Sequence, residues 1–499
     1  MRKKLRRLAL LAVAVCYAGG IAVTGFSSAA EQPNLVVILC DDLGYGDLEC
    51  YGHPKIKTPH LNRLAKEGIR FTDFYSAAPV CSPSRVGLLT GRSPNRAGVY
   101  DWIPPAGRRA AADAREKVHL RAGETTIAHV LSDAGYATCL AGKWHCNSAF
   151  NRAAQPQPGD HGFDHWFATQ NNAAPSHENP INYVRNGESV GRIEGYSCQI
   201  VVDEVLGWLD ALRDSDQSQP FFAFLAFHEP HEPVASPPAL VDKYWDVAHD
   251  EDEAQYFANV ANVDAAVGRF VAGLDQRGLR ENTLIVFTSD NGPETLDRYR
   301  TANRSYGRPG LLRGMKLHTH EAGFRVAGIM NWPGRIDAGQ EVATPVSSLD
   351  LLPTFCRLAG VNPPADLELD GVDCLPAWDG ESLDRERPLV WCYYNALNDA
   401  RVAMRDGPWK VLAQLDGGAL PKMQNLTPTR LERVRDAKLT DWELYDMHRD
   451  VSETTNLATS RPELARRLAE KLESSYRELV ADSHAWQPDA APATEQRDD

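Results

Sequence analysis

The chain has 499 residues, 43% hydrophobic and 24% charged, ordinary figures for a folded, enzyme-sized protein that exclude wholesale disorder or a fibrous repeat. A formal net charge of −14 excludes a general binder of nucleic-acid backbones, which needs basic patches, but not a small anionic substrate met by a few local cations. The length predicts one large domain and a smaller one, because single cores stop growing at roughly 250–300 residues.

Arg2, Lys3, Lys4, Arg6 and Arg7 precede an apolar stretch, and the small residues Ser28, Ala29 and Ala30 close the segment. That layout predicts a secretory signal peptide over residues 1–30, an uncleaved N-terminal anchor being the rival. No later stretch approaches the ~20 apolar residues of a membrane span. The mature chain is therefore expected to be exported (periplasmic, secreted or lumenal) and free of the membrane. Of the ten cysteines, Cys16 would leave with the signal, and the remaining nine show neither CxxC pairs nor Cys/His zinc spacing.

Three short apolar runs, 34–40 (NLVVILC), 221–227 (FFAFLAF) and 283–289 (TLIVFTS), read as parallel strands buried on both faces. Helical patterns fall at 61–68, at 125–135 with Gly135 as its stop, at 196–212 and at 254–278, closed by Gly278. Strand and helix in alternation predict an α/β sheet wrapped by helices. After about residue 380 the texture changes. Residues 388–394 and 401–414 read as strands, the second broken by Asp406-Gly407-Pro408, and 462–481 as a final helix. The predicted organisation is a main domain over 31–380, a C-terminal subdomain of antiparallel sheet plus helix over 381–482, and a polar, disordered tail over 483–499.

In open α/β sheets ligands collect beyond the carboxyl ends of the strands. The first run ends in Asp41-Asp42, the second in His228-Glu229-Pro230-His231, and the third in Asp290-Asn291-Gly292. Parallel strands would bring all three groups to one rim. Three carboxylates and an amide oxygen suit a hard cation, calcium first and magnesium second. Either acidic pair alone would be an ordinary turn or helix cap.

The segment Cys81-Ser82-Pro83-Ser84-Arg85, followed by Thr90-Gly91-Arg92, carries C-x-P-x-R and T-G-R. With it the sequence resembles the type I, formylglycine-dependent sulfatases of the alkaline phosphatase-like superfamily, nearest the arylsulfatase A and N-acetylgalactosamine-6-sulfatase branch. Gly142-Lys143-Trp144-His145, residues 227–233, Asp290-Asn291-Gly292, and Arg313-Gly314-Met315-Lys316 with Glu321 to Val326 follow in the family's order. Glu443-Leu444-Tyr445-Asp446 and Glu453, Asn456, Leu457 resemble its C-terminal portion.

The resemblance implies a large mixed, mainly parallel sheet and a sulfuric ester hydrolase. It implies that a formylglycine-generating maturation enzyme oxidises Cys81 to an aldehyde, present as its hydrate. One hydroxyl of the hydrate attacks sulfur and the other collapses to expel sulfate, two easier steps replacing one difficult one. Asp41, Asp42, Asp290 and Asn291, with modified Cys81, would hold the cation. Arg85, Lys143 and Lys316 would neutralise sulfate oxygens. His145 is assigned to the hydrate and His231 to the leaving group, with His228 as the competing histidine of the HEPHEP repeat.

Ala322 departs from the family's E-G-G and puts the local loop geometry in question. His318 and His320 lie outside the general pattern and are either substrate contacts or exposed loop histidines; His228 and His318 are the candidate substrate contacts. Trp102, Trp166 and Asn171-Asn172 either meet a sugar or, for the tryptophans, sit in the core. A sulfated carbohydrate of hexosamine or galactose type is the expected substrate. The rivals are a phosphodiesterase or phosphonate monoester hydrolase of the same superfamily, and an inactive sulfoglycan-binding protein. The sequence carries no signal for an oligomeric state.

Overall fold

The run NLVVILC is apolar at every position because both faces of its strand are covered. In the computed structural model, which describes residues 32–107, 114–215, 219–365, 367–416 and 426–487, it forms β1 (Asn34–Asp41), fully buried. Leu35, Val37 and Leu39 enter one core, and Val36, Ile38 and Cys40 enter the other. Each fully buried Leu, Ile or Val contributes about 1.5–3 kcal/mol relative to exposure, so neither face tolerates a polar residue until the strand ends at Asp41. The predicted signal peptide and the part of the predicted tail beyond residue 487 lie outside the described residues. Residues 483–487 run along the body, where Trp486 donates from its backbone N–H to Leu426 and from Nε1 to Gly98.

The strands follow in chain order: β2 (Ile69–Tyr75), β3 (Ala137–Lys143), β4 (His165–Thr169), β5 (Tyr183–Arg185), β6 (Glu188–Gly191), β7 (Phe221–Pro230), β8 (Thr283–Ser289), β9 (Arg325–Asn331), β10 (Gln340–Val342) and β11 (Val346–Ser347). They make one eleven-stranded sheet in the order β10-β2-β9-β8-β1-β7-β3-β4-β5-β6, with β11 also on β2. β1 pairs in parallel with β7 and β8, and β3 in parallel with β7 and β4. β9 is antiparallel to β2 and β8, and β5 is antiparallel to β4 and β6. The sheet is thus mixed and mainly parallel, as expected.

Helices Ser197–Asp214 and Glu251–Gln276 cover one face with Val201, Val205, Leu209, Val260, Val263, Val267 and Phe270. Helices Ile127–Asp133 and Leu351–Ala359 pack on the other. Four C-terminal strands, β12 (Leu389–Cys392), β13 (Val402–Asp406), β14 (Trp409–Leu415) and β15 (Leu439–Asp446), form a separate antiparallel sheet in that order. The predicted break at Asp406-Gly407-Pro408 is the tight hairpin turn between β13 and β14: Asp406 pairs with Trp409. Helix Pro462–Ala481 covers this sheet with Leu468, Leu472, Tyr476 and Leu479. Among the described residues no helix is long and apolar enough to cross a membrane, and nine cysteines are free thiols.

Candidate active site

The carboxyl ends of β1, β7, β8 and β3 meet at one rim, and their next residues turn inward. Asp42 has a left-handed φ of 64°, rare outside glycine, and its backbone N–H donates to Asp290 Oδ1 at 3.2 Å. Asn291 Nδ2 donates to Asp42 Oδ1 at 2.6 Å. Asp41, Asp42, Asp290 and Asn291 are all buried. Asp41 Oδ1 and Asn291 Oδ1 are buried with no hydrogen-bond donor, two oxygen acceptors left open. One ligand atom each from Asp41, Asp42 and His231 falls within 4.8 Å of the others, so this rim has the donors to hold a cation.

Three buried cations answer the three carboxylates. Lys143, the last residue of β3, reaches Asp41 Oδ2 at 2.5 Å; Arg85 reaches Asp290 Oδ2 from Nε at 2.9 Å and from NH2 at 2.8 Å; Lys316 reaches Asp42 Oδ2 at 2.7 Å. Arg85 also donates to the Lys143 carbonyl at 2.9 Å. Lys143 can stand there because Gly142 precedes it: a Cβ at that position would lie 1.8 Å from the Ala226 carbonyl oxygen, and its φ is +113°. Burial alone would raise Asp41, but Lys143, His231, Arg85 and Lys316 hold it well below the usual carboxylate range. Burial and the charge of Asp41 push Asp290 up to about 6 against the pull of Arg85. Burial opposes the charge on Lys316, yet Asp42 and Glu294 raise it well above the usual lysine value.

Cys81 opens the helix Cys81–Thr90, every residue of which is buried. A helix N-terminus presents unsatisfied N–H groups and a partial positive charge to whatever stands before it. Pro83 is tolerated because it falls in the first turn. The Cys81 side chain sits in a small cluster with Val80, Leu317, Tyr393 and Ala396, against which Trp102 packs. Burial pushes its thiol up to about 12, in spite of Lys143 and Lys316; as a free cysteine it is a poor nucleophile.

Beside Cys81 opens a cavity of about 500 Å³, within the range of small-molecule sites, lined among others by Cys81, His145, His231 and Lys316 and by Asp101, Trp102, Asn171, Asn172, Tyr299 and Tyr393. His145, with φ 51°, bonds through Nε2 to the Ile103 carbonyl at 3.0 Å, and its Nδ1 is buried without a partner. Because a carbonyl only accepts, Nε2 carries the hydrogen and Nδ1 the lone pair. Burial first, then Lys143 and Arg85, hold this ring well below the usual histidine value.

The structure separates the two histidines of HEPHEP. His228 lies inside β7, fully buried, with Nε2 2.7 Å from Thr169 Oγ1 and Nδ1 3.4 Å from the Tyr183 hydroxyl. It is not among the residues that line the cavity. His231, one residue beyond β7, does line it. His318 is also away from the lining; its ring lies 5.8 Å from that of His320. Trp166 is core, edge-on to Phe150, whereas Trp102 faces the cavity. Ala322 causes no distortion: it lies in a helical turn, Glu321–Phe324, without a positive φ. The neighbour that must be glycine is Gly323, where a Cβ would meet the His318 carbonyl oxygen at 1.9 Å.

Sequence reasoning left out part of the cavity wall. Tyr393, Asn395 and Leu397 come from the loop after β12, and Tyr393 and Asn395 donate to Asp101 at 3.1 and 2.9 Å. Glu294, 3.6 Å from Lys316 and bonded bidentately by Arg298, was also missed. Its only signal was adjacency to Asp290-Asn291-Gly292.

The family model described as Sulfatase matches residues 33–361. The chain is 35% identical over 406 residues to N-acetylgalactosamine-6-sulfatase of Canis lupus familiaris, covering 77% of this chain and 72% of that one. It is 34% identical over 469 residues to arylsulfatase A of Homo sapiens, covering 88% and 85%. Among solved structures, that of Ps i-CgsB in complex with k-i-k-neocarrahexaose superposes with a TM-score of 0.74 at 26% identity, over 92% of this chain and 96% of that one. A match across two thirds of the chain, on the strands that carry the acidic rim, leaves one conclusion: this protein belongs to the sulfatase family and is a sulfuric ester hydrolase.

Proposed function

We infer that the protein removes sulfate from a sulfated hexosamine or galactose unit of a carbohydrate, with residue 81, matured to formylglycine, as nucleophile. The observation that carries this reading is the convergence of Cys81, His145, His231 and Lys316 on one cavity of about 500 Å³, with Lys316 and His231 also reaching Asp42 of the acidic rim. The relatives named for N-acetylgalactosamine-6-sulfate, and the carbohydrate complex of Ps i-CgsB, support the substrate class.

The open acceptors on Asp41 and Asn291, with the carboxylate oxygens of Asp42 and Asp290, fit a hard divalent cation, calcium before magnesium. Asp41, Asp42, Asp290 and Asn291, with the modified side chain at 81, would hold it. When bound, the ion lowers the pKa of an attacking hydroxyl and polarises sulfate oxygens. The chain's own groups do the rest. Arg85 and Lys143 set the Asp290 and Asp41 carboxylates in place, and Lys316 offers its ammonium to the sulfate. His145, with its lone pair on Nδ1, takes the proton of the attacking hydroxyl, and His231 gives one to the leaving oxygen. Maturation supplies what a thiol lacks, a second hydroxyl that can collapse and expel sulfate.

We place the main domain at residues 31–380 and the subdomain at 381–482, which lends Tyr393 and Asn395 to the cavity wall. Export by the N-terminal signal would bring the chain to calcium-rich surroundings after the maturation enzyme has read Cys81, Pro83 and Arg85.

The test is turnover by the matured enzyme with calcium. Nitrophenyl sulfate and sulfated N-acetylgalactosamine are expected to release product, and bis(nitrophenyl) phosphate at least roughly a hundredfold more slowly in kcat/KM. Excess chelator should remove at least about 99% of the sulfatase activity, and calcium should restore it. Faster phosphodiester cleavage would favour the phosphodiesterase or phosphonate hydrolase reading. Substrate binding without any turnover would favour the inactive sulfoglycan binder.

A further inference from the structure

The two halves of HEPHEP use their glutamates differently. Glu229 faces the protein, where Oε1 accepts from the Ser197 hydroxyl at 2.5 Å and the Cys198 backbone N–H at 2.9 Å. Glu232 lines the cavity while being only 4% exposed. Its Oε1 accepts from the Tyr299 hydroxyl, and Tyr299 is itself half-buried in the cavity wall. Its Oε2 lies 3.4 Å from His231 Nδ1, at ion-pair distance without hydrogen-bond geometry, and is a buried acceptor without a donor. The Glu232 backbone carbonyl lies 2.7 Å from the same Nδ1 and is held by Asn172 Nδ2 at 2.9 Å.

Carboxylate and carbonyl oxygens only accept, so the Nδ1 side of His231 is fixed as the donor side. Nε2 is then the nitrogen turned to the reaction, 3.5 Å from Asp42 Oδ2. We propose that Glu232, held by Tyr299, is a positioning residue for His231 that sets its Nε2 against the leaving-group oxygen. The proposal rests on the reading of His231 as proton donor. In the step it serves, the bond from sulfur to the leaving oxygen breaks, that oxygen takes the proton from Nε2, and the ring ends neutral with its Nδ1 hydrogen still on the Glu232 backbone carbonyl, beside the Glu232 carboxylate whose charge steadies it. A ring free to rotate would deliver that proton in only a fraction of its orientations. Groups that orient a catalytic imidazole from its far side typically matter by 10–100-fold.

A merely structural glutamate would affect all substrates alike, whereas a positioning role depends on the leaving group. A sugar alkoxide needs the proton; a nitrophenolate departs without much help. In the calcium-loaded, matured enzyme, Glu232→Ala is expected to lower kcat/KM for sulfated N-acetylgalactosamine about 10–100-fold. The fall for nitrophenyl sulfate should be smaller by about tenfold or more. Glu232→Gln, which keeps an acceptor oxygen, should recover most of the loss. Tyr299→Phe, a change in the half-buried wall that guards against misfolding of the first variant, should shift the two substrates in the same unequal way. Equal losses on both esters in these variants, or no loss on the sugar sulfate, would overturn the assignment. Wild-type enzyme that releases sulfate from neither ester would overturn the function itself, and this assignment with it.

Discussion

Cys81→Ala is expected to lower kcat on any sulfate ester by roughly 10⁴-fold or more, the scale seen when a nucleophile is removed from a site that otherwise still binds. The fold should survive. The side chain lost is small, at the start of a helix whose packing rests on Val86, Leu88 and Leu89, and its removal should cost about 1 kcal/mol. Cys81→Ser separates attack from release. A serine hydroxyl can accept the sulfuryl group, but it has no second hydroxyl to collapse and expel it, so at most one equivalent of product per enzyme is expected. Rapid-mix product counting checks this. Sustained turnover by either variant would show that the nucleophile lies elsewhere.

The largest effect on stability is expected away from the rim, from Lys410→Met. Lys410 on β14 places its ammonium 3.0 Å from Glu321 Oε1 and 2.8 Å from Glu453 Oε1, all three side chains fully buried, and 4.7 Å from the centre of the Phe324 ring. Glu321 is also met by Arg325 at 3.1 Å and by the Tyr75 hydroxyl at 2.9 Å, but Glu453 relies on Lys410 and on the Glu321 backbone N–H. Burial, and then the charge of Glu321, raise Glu453 above its ordinary range even with Lys410 present. Removing the ammonium leaves the Glu453 carboxylate uncompensated, and Glu321 with Arg325 and the Tyr75 hydroxyl, where the C-terminal sheet meets β9 and the turn before it. The cost of such a break is about 3–5 kcal/mol. It should appear as a lower urea midpoint at unchanged m. Adding Glu453→Gln to Lys410→Met should recover a large part of the loss, because the stranded charge goes with it. A single-variant cost below about 1 kcal/mol would mean that the three groups are not held in a dry contact.

How much of this was legible in the sequence differs by element. Strands covered on both faces announce themselves as continuous apolar runs, so β1, β7 and β8 and the polar groups at their ends were readable. β2 and β9 were not, because Arg70, Thr72, Asp73 and Arg325 interrupt their pattern. Asp73 and Arg325 belong to a buried ion network, in which Arg325 NH2 reaches Asp73 at 2.9 Å and Arg405 reaches it at 3.0 Å, while Arg70 pairs with the exposed Glu341. A network of that kind is assembled from residues hundreds of positions apart and leaves no local period. The choice between His228 and His231 turned on where β7 ends. Its ladder runs to Pro230, which buries the first histidine and frees the second. Tyr393 and Asn395 could not be read as wall residues, since only the docking of the C-terminal sheet brings them to Asp101.

The central claim is that residue 81 works as an aldehyde hydrate and not as a thiol. Its most direct test is the mass of the peptide containing position 81, taken from enzyme of measured activity. The account predicts a mass about 18 Da below that of the cysteine form, in a fraction of molecules that tracks specific activity across preparations. A fully active preparation in which that peptide carries an unmodified cysteine would contradict it.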